Sequence, residues 1–337
     1  MNPTPKQLGF RMPAEWEPHK GTWLSWPKDP VTFPDRVEKV ENLYCEMMSH
    51  LSAGEKVFLL VDDAATKKKV LQKLGEIKTN LPNIVIHIVP TADVWIRDYG
   101  PNFLLRGKEL AFNHWIFNAW GGKYEELMAD TAIPEKLQPL LKCKMFEPGI
   151  VLEGGSIDVN GEGVCLTTKQ CLLNKNRNPH LSQKEIENYL KEYLGLNEIV
   201  WLNEGVEGDD TDGHIDDIAR FVAPNTVVCA VEEDLKDKNY KILQENYEIL
   251  KSRFETIPLP MPGIVSGDNG KLPASYANFL IANECVLAPI FNHKNDGKAL
   301  DILRECFPKR RIVGLDCRDL IWGMGAIHCI TQQQPAI

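Results

Sequence analysis

The chain has 337 residues, 43% of them hydrophobic and 25% charged, with a net charge of −9. That profile fits an ordinary folded protein with one large core or two modest ones; no apolar run nears the roughly 20 residues of a membrane span, and the acidic balance disfavours nucleic acid while suiting a cationic ligand. Nine cysteines, an odd number without a C-x-x-C pair, argue against a disulfide framework or a zinc site, and the opening Met-Asn-Pro-Thr-Pro-Lys has no signal-peptide core, so a cytoplasmic location is expected.

Residues 10–27 carry three tryptophans and three prolines, which predicts a fixed loop-and-strand segment. Val37, Val40, Leu43, Met47 and Leu51 fall at helical spacing over 35–52. A buried strand over 56–62, an amphipathic helix over 64–80 and a strand over 83–90 follow. Further strands are expected near 110–118, 156–168, 198–203, 218–231, 277–291 and 311–316, with helices near 182–194, 237–253 and 297–306. No long Gly/Ser- or Pro-rich linker interrupts them, so residues 1–337 read as a single α/β domain. Asp98, Glu153, Asp216, Asn278 and Cys329 are separated by 55, 63, 62 and 51 residues. That spacing suggests about five mixed units, each presenting a terminus to a shared centre.

Four motifs and the tail carry the chemistry. The turn Asp93-Val94-Trp95-Ile96-Arg97-Asp98-Tyr99 sets two aromatics among charges. Phe117-Asn118-Ala119-Trp120-Gly121-Gly122-Lys123-Tyr124 ends a strand in an aromatic Gly-Gly turn, equally readable as a bulged corner or a binding loop. Glu153 sits between an apolar run and Gly154-Gly155, which points it at a pocket rather than at open water. In Gly208–Phe221, His214 and Asp216 would share one face of a strand, and a carboxylate beside a histidine keeps it oriented and basic. As a calcium loop this stretch fails, because Gly213 is the fourth position from Asp210 rather than the sixth, and no partner spacing completes a zinc set. In the tail, Gly323-Met324-Gly325-Ala326-Ile327-His328-Cys329-Ile330-Thr331, small residues precede a thiol. The plainer alternative is a last buried strand, Ala326–Ile330, with Cys329 as a small hydrophobe. A thiol, a His–Asp pair and further carboxylates suit a planar cation. Two carboxylates can grip a guanidinium bidentately and leave its carbon open to a thiolate.

These motifs, together with the opening Met12-Pro13-Ala14-Glu15-Trp16-Glu17-Pro18-His19, resemble the family of agmatine deiminases and bacterial-type peptidylarginine deiminases within the guanidino-group-modifying superfamily. The resemblance implies a five-unit pseudo-symmetric α/β propeller of the pentein type. It implies that Cys329 attacks the guanidinium carbon, that Asp98 and Asp216 clamp the substrate with Glu153 completing the cage, and that His214 protonates the departing amine and then activates water. Trp95, Asp93, Arg97, Trp120 and Gly325 would contact the substrate. No metal or organic cofactor is implied. Agmatine would give N-carbamoylputrescine and ammonia, a step of polyamine biosynthesis; another guanidine (free, methylated or peptidyl arginine) is the nearer alternative and a non-catalytic propeller the remoter one. The partner is then a small cationic guanidine, not nucleic acid or a membrane, with homo-oligomers left open. Met324 and Ala326 interrupt the family's glycine run, and Met324 is expected to narrow the entrance.

Overall fold

In the computed structural model, residues 3–267 and 270–337 are described, and they form a mixed α/β structure. Strands β1 (His19–Ser25), β2 (Lys56–Val61) and β3 (Ile84–Ile88) run parallel, joined by helices α1 (Val37–Leu51) and α2 (Ala64–Gly75). The short α3 (Ile96–Tyr99) leads into the hairpin β4 (Asn102–Arg106) and β5 (Glu109–Asn113). A short turn of left-handed backbone, α4 (Ala119–Gly122), and helix α5 (Ile133–Leu141) then carry the chain to β6 (Lys144–Phe146), parallel to β5. The pattern recurs with the hairpin β7 (Asp158–Val159) and β8 (Val164–Thr168), helices α6 (Lys169–Leu172) and α7 (Gln183–Leu194), and β9 (Glu198–Leu202). It recurs again with β10 (Ala219–Ala223), β11 (Thr226–Val231), α8 (Asn239–Lys251) and β12 (Glu255–Pro260). After a small ribbon of β13 (Ser266–Gly267) and β14 (Gly270–Lys271) comes the last repetition, β15 (Leu280–Ile281), β16 (Cys285–Ile290), α9 (Asp296–Cys306) and β17 (Arg311–Asp316).

Each of these four sheets thus has an antiparallel hairpin whose second strand pairs in parallel with a third. The sheet that starts the chain lacks a preceding hairpin strand, and β18 (Gln332–Pro335) supplies it, antiparallel to β1 with Trp23 opposite Gln332. Trp23 Nε1 donates to Gln334 Oε1 at 3.0 Å, so even the polar side chains of this tail are spent on the closure.

The helices form for local reasons and dock for hydrophobic ones. In α1, Val40, Leu43, Tyr44, Met47, Met48 and Leu51 make one buried stripe, the face expected from their spacing. Helix α7 begins with a reciprocal capping box between Ser182 and Glu185 and ends at Gly195 in the left-handed conformation, while Ile186, Leu190 and Leu194 face inward. Asp63 caps α2 by accepting from the Thr66 amide. Among the described residues no helix is long and apolar enough to cross a membrane, and all nine cysteines are unpaired.

Several expected long strands are hairpins instead. Residues 156–168 fold back at a turn in which Asn160 Oδ1 accepts from the amides of Glu162 and Val164; 218–231 turns between Ala223 and Thr226, and 277–291 between Ile281 and Cys285. Strand β12 is absent from the sequence reading because Pro258 and Pro260 lie in it, and it is tolerated as the outer strand of its sheet. The segment around Cys329 is a turn rather than a last buried strand, and His214 precedes a single 3-10 turn (Ile215–Asp217) rather than lying on a strand.

Candidate active site

Cys329 lies on the turn between the glycine-containing loop and β18, and four contacts hold that turn. Arg97 Nε donates to the His328 carbonyl at 3.3 Å and the Arg97 amide donates to the Cys329 carbonyl at 3.2 Å. Asn278 Oδ1 accepts from the His328 amide at 2.9 Å, and Thr331 Oγ1 donates to the Ile327 carbonyl at 2.9 Å. Asn278 also aims its Nδ2 at Cys329 Sγ and at Asp217 Oδ1, 3.0 Å from each. Asp216 Oδ2 lies 3.7 Å from the sulfur.

The thiol opens on a cavity of about 410 Å³. Asp93, Trp95, Asp98, Trp120, Met324 and Gly325 line it together with Cys329. Asp98 is fixed from both sides, Oδ2 accepting from Trp120 Nε1 and Oδ1 from the Gly155 amide, each at 2.9 Å. Trp120 reaches it because Ala119 and Trp120 both adopt left-handed backbone angles, φ 50 and 55, a strain typical of functional sites. Asp93 accepts from Trp95 Nε1 at 2.9 Å and Thr32 Oγ1 at 2.7 Å; burial pushes its carboxyl up to about 6. Gly325 allows a close approach: a Cβ there would stand 2.5 Å from the Trp95 ring and 3.2 Å from Cys329 Sγ. Met324, at φ 72, takes up the left-handed position a glycine would fill, and its side chain is part of the cavity wall.

Behind Asp98 lie Glu153 and His214, both buried. Glu153 Oε1 accepts from Arg177 Nε at 2.5 Å, and Arg177 is tied in turn to Asp212 Oδ2 at 2.8 Å. His214 Nδ1 is 3.7 Å from Asp98 Oδ1. The histidine bonded to Asp216 is His328, at 2.7 Å, rather than His214. Four buried polar atoms here have no partner among the described residues: Glu153 Oε2, Asp216 Oδ1 and both ring nitrogens of His214. Such atoms cost roughly 1–3 kcal/mol each when left unpaired, so a donor-rich ligand that met them would bind for that reason alone.

The charges are pushed apart. Burial, then Asp216 and Glu153, hold the Asp98 carboxyl well above its ordinary range. Asp216 is lowered: burial opposes this, and the hydrogen bond and charge of His328 outweigh it. Burial lowers His214 to about 3, so its ring is neutral. Burial and the charges of Asp216, Asp217 and Asp98 raise the Cys329 thiol well above its usual value. The free protein therefore favours a thiol at Cys329 and a neutral His214, and of the two carboxylates Asp98 takes up a proton more readily than Asp216.

The acidic run of 209–217 serves several ends. Asp209 accepts from the amides of Thr211, Gly213 and His214 and shapes the loop. Asp212 holds Arg177 and Lys123, while Asp210 faces the cavity. Arg97 does not line the cavity; it is a buried brace for the Cys329 turn, with Nη1 on Gln333 Oε1 at 2.7 Å. Asn278 stands out in the sequence only through its spacing, and His328, Arg177 and Glu15 take part without a role expected from the sequence. For His328 the signal was adjacency to the thiol; for Arg177, in Asn174-Lys175-Asn176-Arg177-Asn178, nothing distinguishes it from a surface arginine.

Among the described residues, two of the three groups whose donor atoms lie within 4.8 Å of one another fall in this region, Glu153–Cys171–His214 and Asp216–Asp217–Cys329; the third, His114–Glu135–Glu147, lies elsewhere and is half-exposed to exposed. The two in this region suit a cation poorly. In the first, Glu153 already neutralises Arg177 and burial keeps the Cys171 thiol protonated. In the second, the Asn278 amide points N–H donors at both the thiol and Asp217, where a metal would need lone pairs. Dialysis against EDTA is expected to leave activity unchanged; loss on chelation with recovery on adding zinc would refute this.

Gly155 gives a sharper test. A Cβ built there would stand 2.7 Å from His214 Nδ1, 2.8 Å from Asp98 Oδ1 and 3.1 Å from Asp216 Oδ2, so the three groups converge on the glycine. Gly155→Ala is expected to lower kcat/KM by about 10²-fold or more through displacement of these groups, with little change in melting temperature. An unchanged kcat/KM would mean that their mutual geometry does not matter.

Fold and cavity together define an α/β protein with a buried thiol set among carboxylates, a site built to receive a planar cation. The chain belongs to the Porphyromonas-type peptidyl-arginine deiminase family, whose profile matches residues 11–335. A protein of Legionella pneumophila (strain Paris) is 43% identical over 345 residues, covering 99% of this chain and 98% of that one. The agmatine deiminase of Ectopseudomonas mendocina (strain ymp) is 37% identical over 99% of this chain and 97% of its own. The solved structure of the agmatine deiminase of Enterococcus faecalis superposes with a TM-score of 0.91 at 32% identity, covering 100% of this chain and 98% of that one.

Proposed function

We propose that this chain is an agmatine deiminase, hydrolysing agmatine to N-carbamoylputrescine and ammonia. The observation that carries this reading is an acidic cavity lined by Cys329 and Asp98, with Asp216 buried 3.7 Å from the sulfur and His214 3.7 Å from Asp98. Asp216 and Asp98 grip the guanidinium, and Glu153 Oε2 accepts a further N–H. The substrate's positive charge reverses the free-protein balance and makes both the carboxylate of Asp98 and the thiolate of Cys329 favourable.

The neutrality of His214 reorders its expected duties. It acts first as a base, taking the thiol proton. The thiolate adds to the guanidinium carbon; the C–N bond to an NH₂ group breaks as His214 returns the proton, and ammonia leaves. A positively charged amidino-cysteine remains. His214 then removes a proton from water, whose oxygen adds to the same carbon; the C–S bond breaks as the hydroxyl proton passes to the sulfur, and the neutral ureido product departs. His214 gives up its proton to solvent, where the released ammonia takes it up.

The same reading takes the five sheets as the units of a propeller in one domain, with the site at its centre. A cytoplasmic setting fits the unpaired cysteines. The direct test is ammonia release from a panel of guanidines: agmatine, arginine, methylated arginines and an arginyl peptide. Release from agmatine is expected, and a protein inert to the whole panel would refute the assignment.

A further inference from the structure

His328 has no part in the steps above, yet it sits between two carboxylates beneath the thiol. Its side chain is 2% exposed, with Nδ1 2.7 Å from Asp216 Oδ2 and Nε2 2.8 Å from Glu15 Oε2. Ionised carboxylates only accept hydrogen bonds, so a ring that meets one at each nitrogen donates from both and carries a positive charge. Glu15 is built to stay ionised: Oε2 is 2.7 Å from Arg220 Nη2 and Oε1 accepts from the Ile281 amide at 2.7 Å. Burial alone would raise Glu15, but the charges of Arg220 and His328 outweigh it. Arg220 is itself anchored on Asp158, Nε to Oδ1 at 2.9 Å, so the assembly runs Asp158–Arg220–Glu15–His328–Asp216 through the interior.

We propose that His328 is a positioning residue: clasped between Glu15 and Asp216, it immobilises one oxygen of Asp216 and so aims the other at the guanidinium. Asp216 Oδ1 is the oxygen left without a partner, while Oδ2 is engaged by the imidazole and neighbours Cys329 Sγ. The turn that carries the nucleophile and the carboxylate that grips the substrate are thus registered to each other through one ring, across 112 residues of sequence. Around Asp216, His328, Arg220 and Arg97 favour its charge, and His214 does so only when protonated, whereas Asp98, Asp209, Asp217 and Cys329 oppose it when ionised. Only the identity of the bound cation rests on the deiminase reading.

Two variants and one spectrum test it. His328→Ala removes the clasp; His328→Asn keeps an N–H toward Asp216 without the charge. With agmatine, KM is expected to rise roughly 10- to 100-fold in His328→Ala with a smaller change in kcat, and His328→Asn should recover part of the loss. The acid limb of kcat/KM should move to higher pH in both, because removing the positive ring lets Asp216 protonate sooner. A folded His328→Ala protein whose KM and acid limb stay in place would overturn the proposal, as would a fall in kcat alone. Should neither variant fold, nitrogen NMR of the wild-type protein with labelled histidine decides. Two protonated ring nitrogens are expected at the assay pH, with one proton lost in Glu15→Gln, whereas a neutral tautomer in the wild-type protein would refute the clasp. A wild-type protein that releases no ammonia from any guanidine refutes the deiminase reading instead, and the NMR result still stands or falls by itself.

Discussion

Cys329→Ala is expected to lower ammonia release by a factor on the order of 10⁵ or more while agmatine still binds. In the proposed mechanism the sulfur is the nucleophile, whereas the grip on the guanidinium comes from carboxylates fixed elsewhere: Asp98 by Trp120 and Gly155, Asp216 by His328. Calorimetry on the variant gives a second readout. Asp98 is held well above its ordinary range by burial, Asp216 and Glu153, so it is the partner of the pair that takes up a proton first as pH falls. A cation binds the ionised form, so protons leave on binding and affinity should tighten as pH rises until Asp98 ionises without help. Affinity that weakens with rising pH, or ammonia release near the wild-type rate, would sink this account. In the wild-type protein, alkylation of Cys329 should be slow near neutral pH and quicken on the alkaline side, because burial and three carboxylates keep the thiol protonated.

The second large effect concerns the far end of the substrate. Agmatine should be preferred over arginine by on the order of 10⁴ in kcat/KM, the scale on which an unmatched charged group is rejected. Asp29, Asp93, Asp98, Glu126 and Asp210 line the cavity, and no lysine, arginine or histidine is among its described lining residues. The basic side chains nearest in sequence to the motifs are already engaged. Lys123 Nζ is bound by the Asp210 carbonyl at 2.6 Å and Asp212 Oδ1 at 2.8 Å. Arg97 braces the Cys329 turn, and Arg220 lies between Asp158 and Glu15. A substrate carboxylate would meet like charge and no donor, while a primary ammonium finds acids and the faces of Trp95 and Trp120. Equal kcat/KM for the two compounds would place an unrecognised cation at the cavity mouth.

Much of this site could be read from the sequence, because cysteine, histidine and carboxylates next to glycine are rare enough to stand out. Cys329, Asp98, Asp216, Glu153 and His214 do gather in one region. The pairing among them was not legible, since His214 and Asp216, two residues apart, suggested a bond that Asp216 instead makes with His328, 112 residues away. Arg97 was misjudged for a related reason. Its neighbours Trp95 and Asp98 face the cavity, but a single helical turn sends the guanidinium the other way, toward Gln333. The strand pattern failed at hairpins such as β7–β8, whose tight turns interrupt an apolar run only briefly, and at β12, where two prolines mask a strand. Helices α1 and α7 were clear because their apolar stripes and caps are local properties.

The closure of β1 by β18 has a consequence for how the protein comes into being. Ribosomes deliver the chain from its N-terminal end, and parts of a protein can begin to fold as they emerge. Trp23 and Gln334, bonded across that seam, are 311 residues apart, so the first sheet made waits for every later unit described here before its missing strand arrives. Cys329 lies three positions ahead of that strand, on a turn that depends on Arg97 and Asn278 from earlier units. The nucleophile and the seam are therefore installed together, after the other units, and nascent chains that stall short of residue 329 carry the acidic pocket residues but not the Cys329 sulfur.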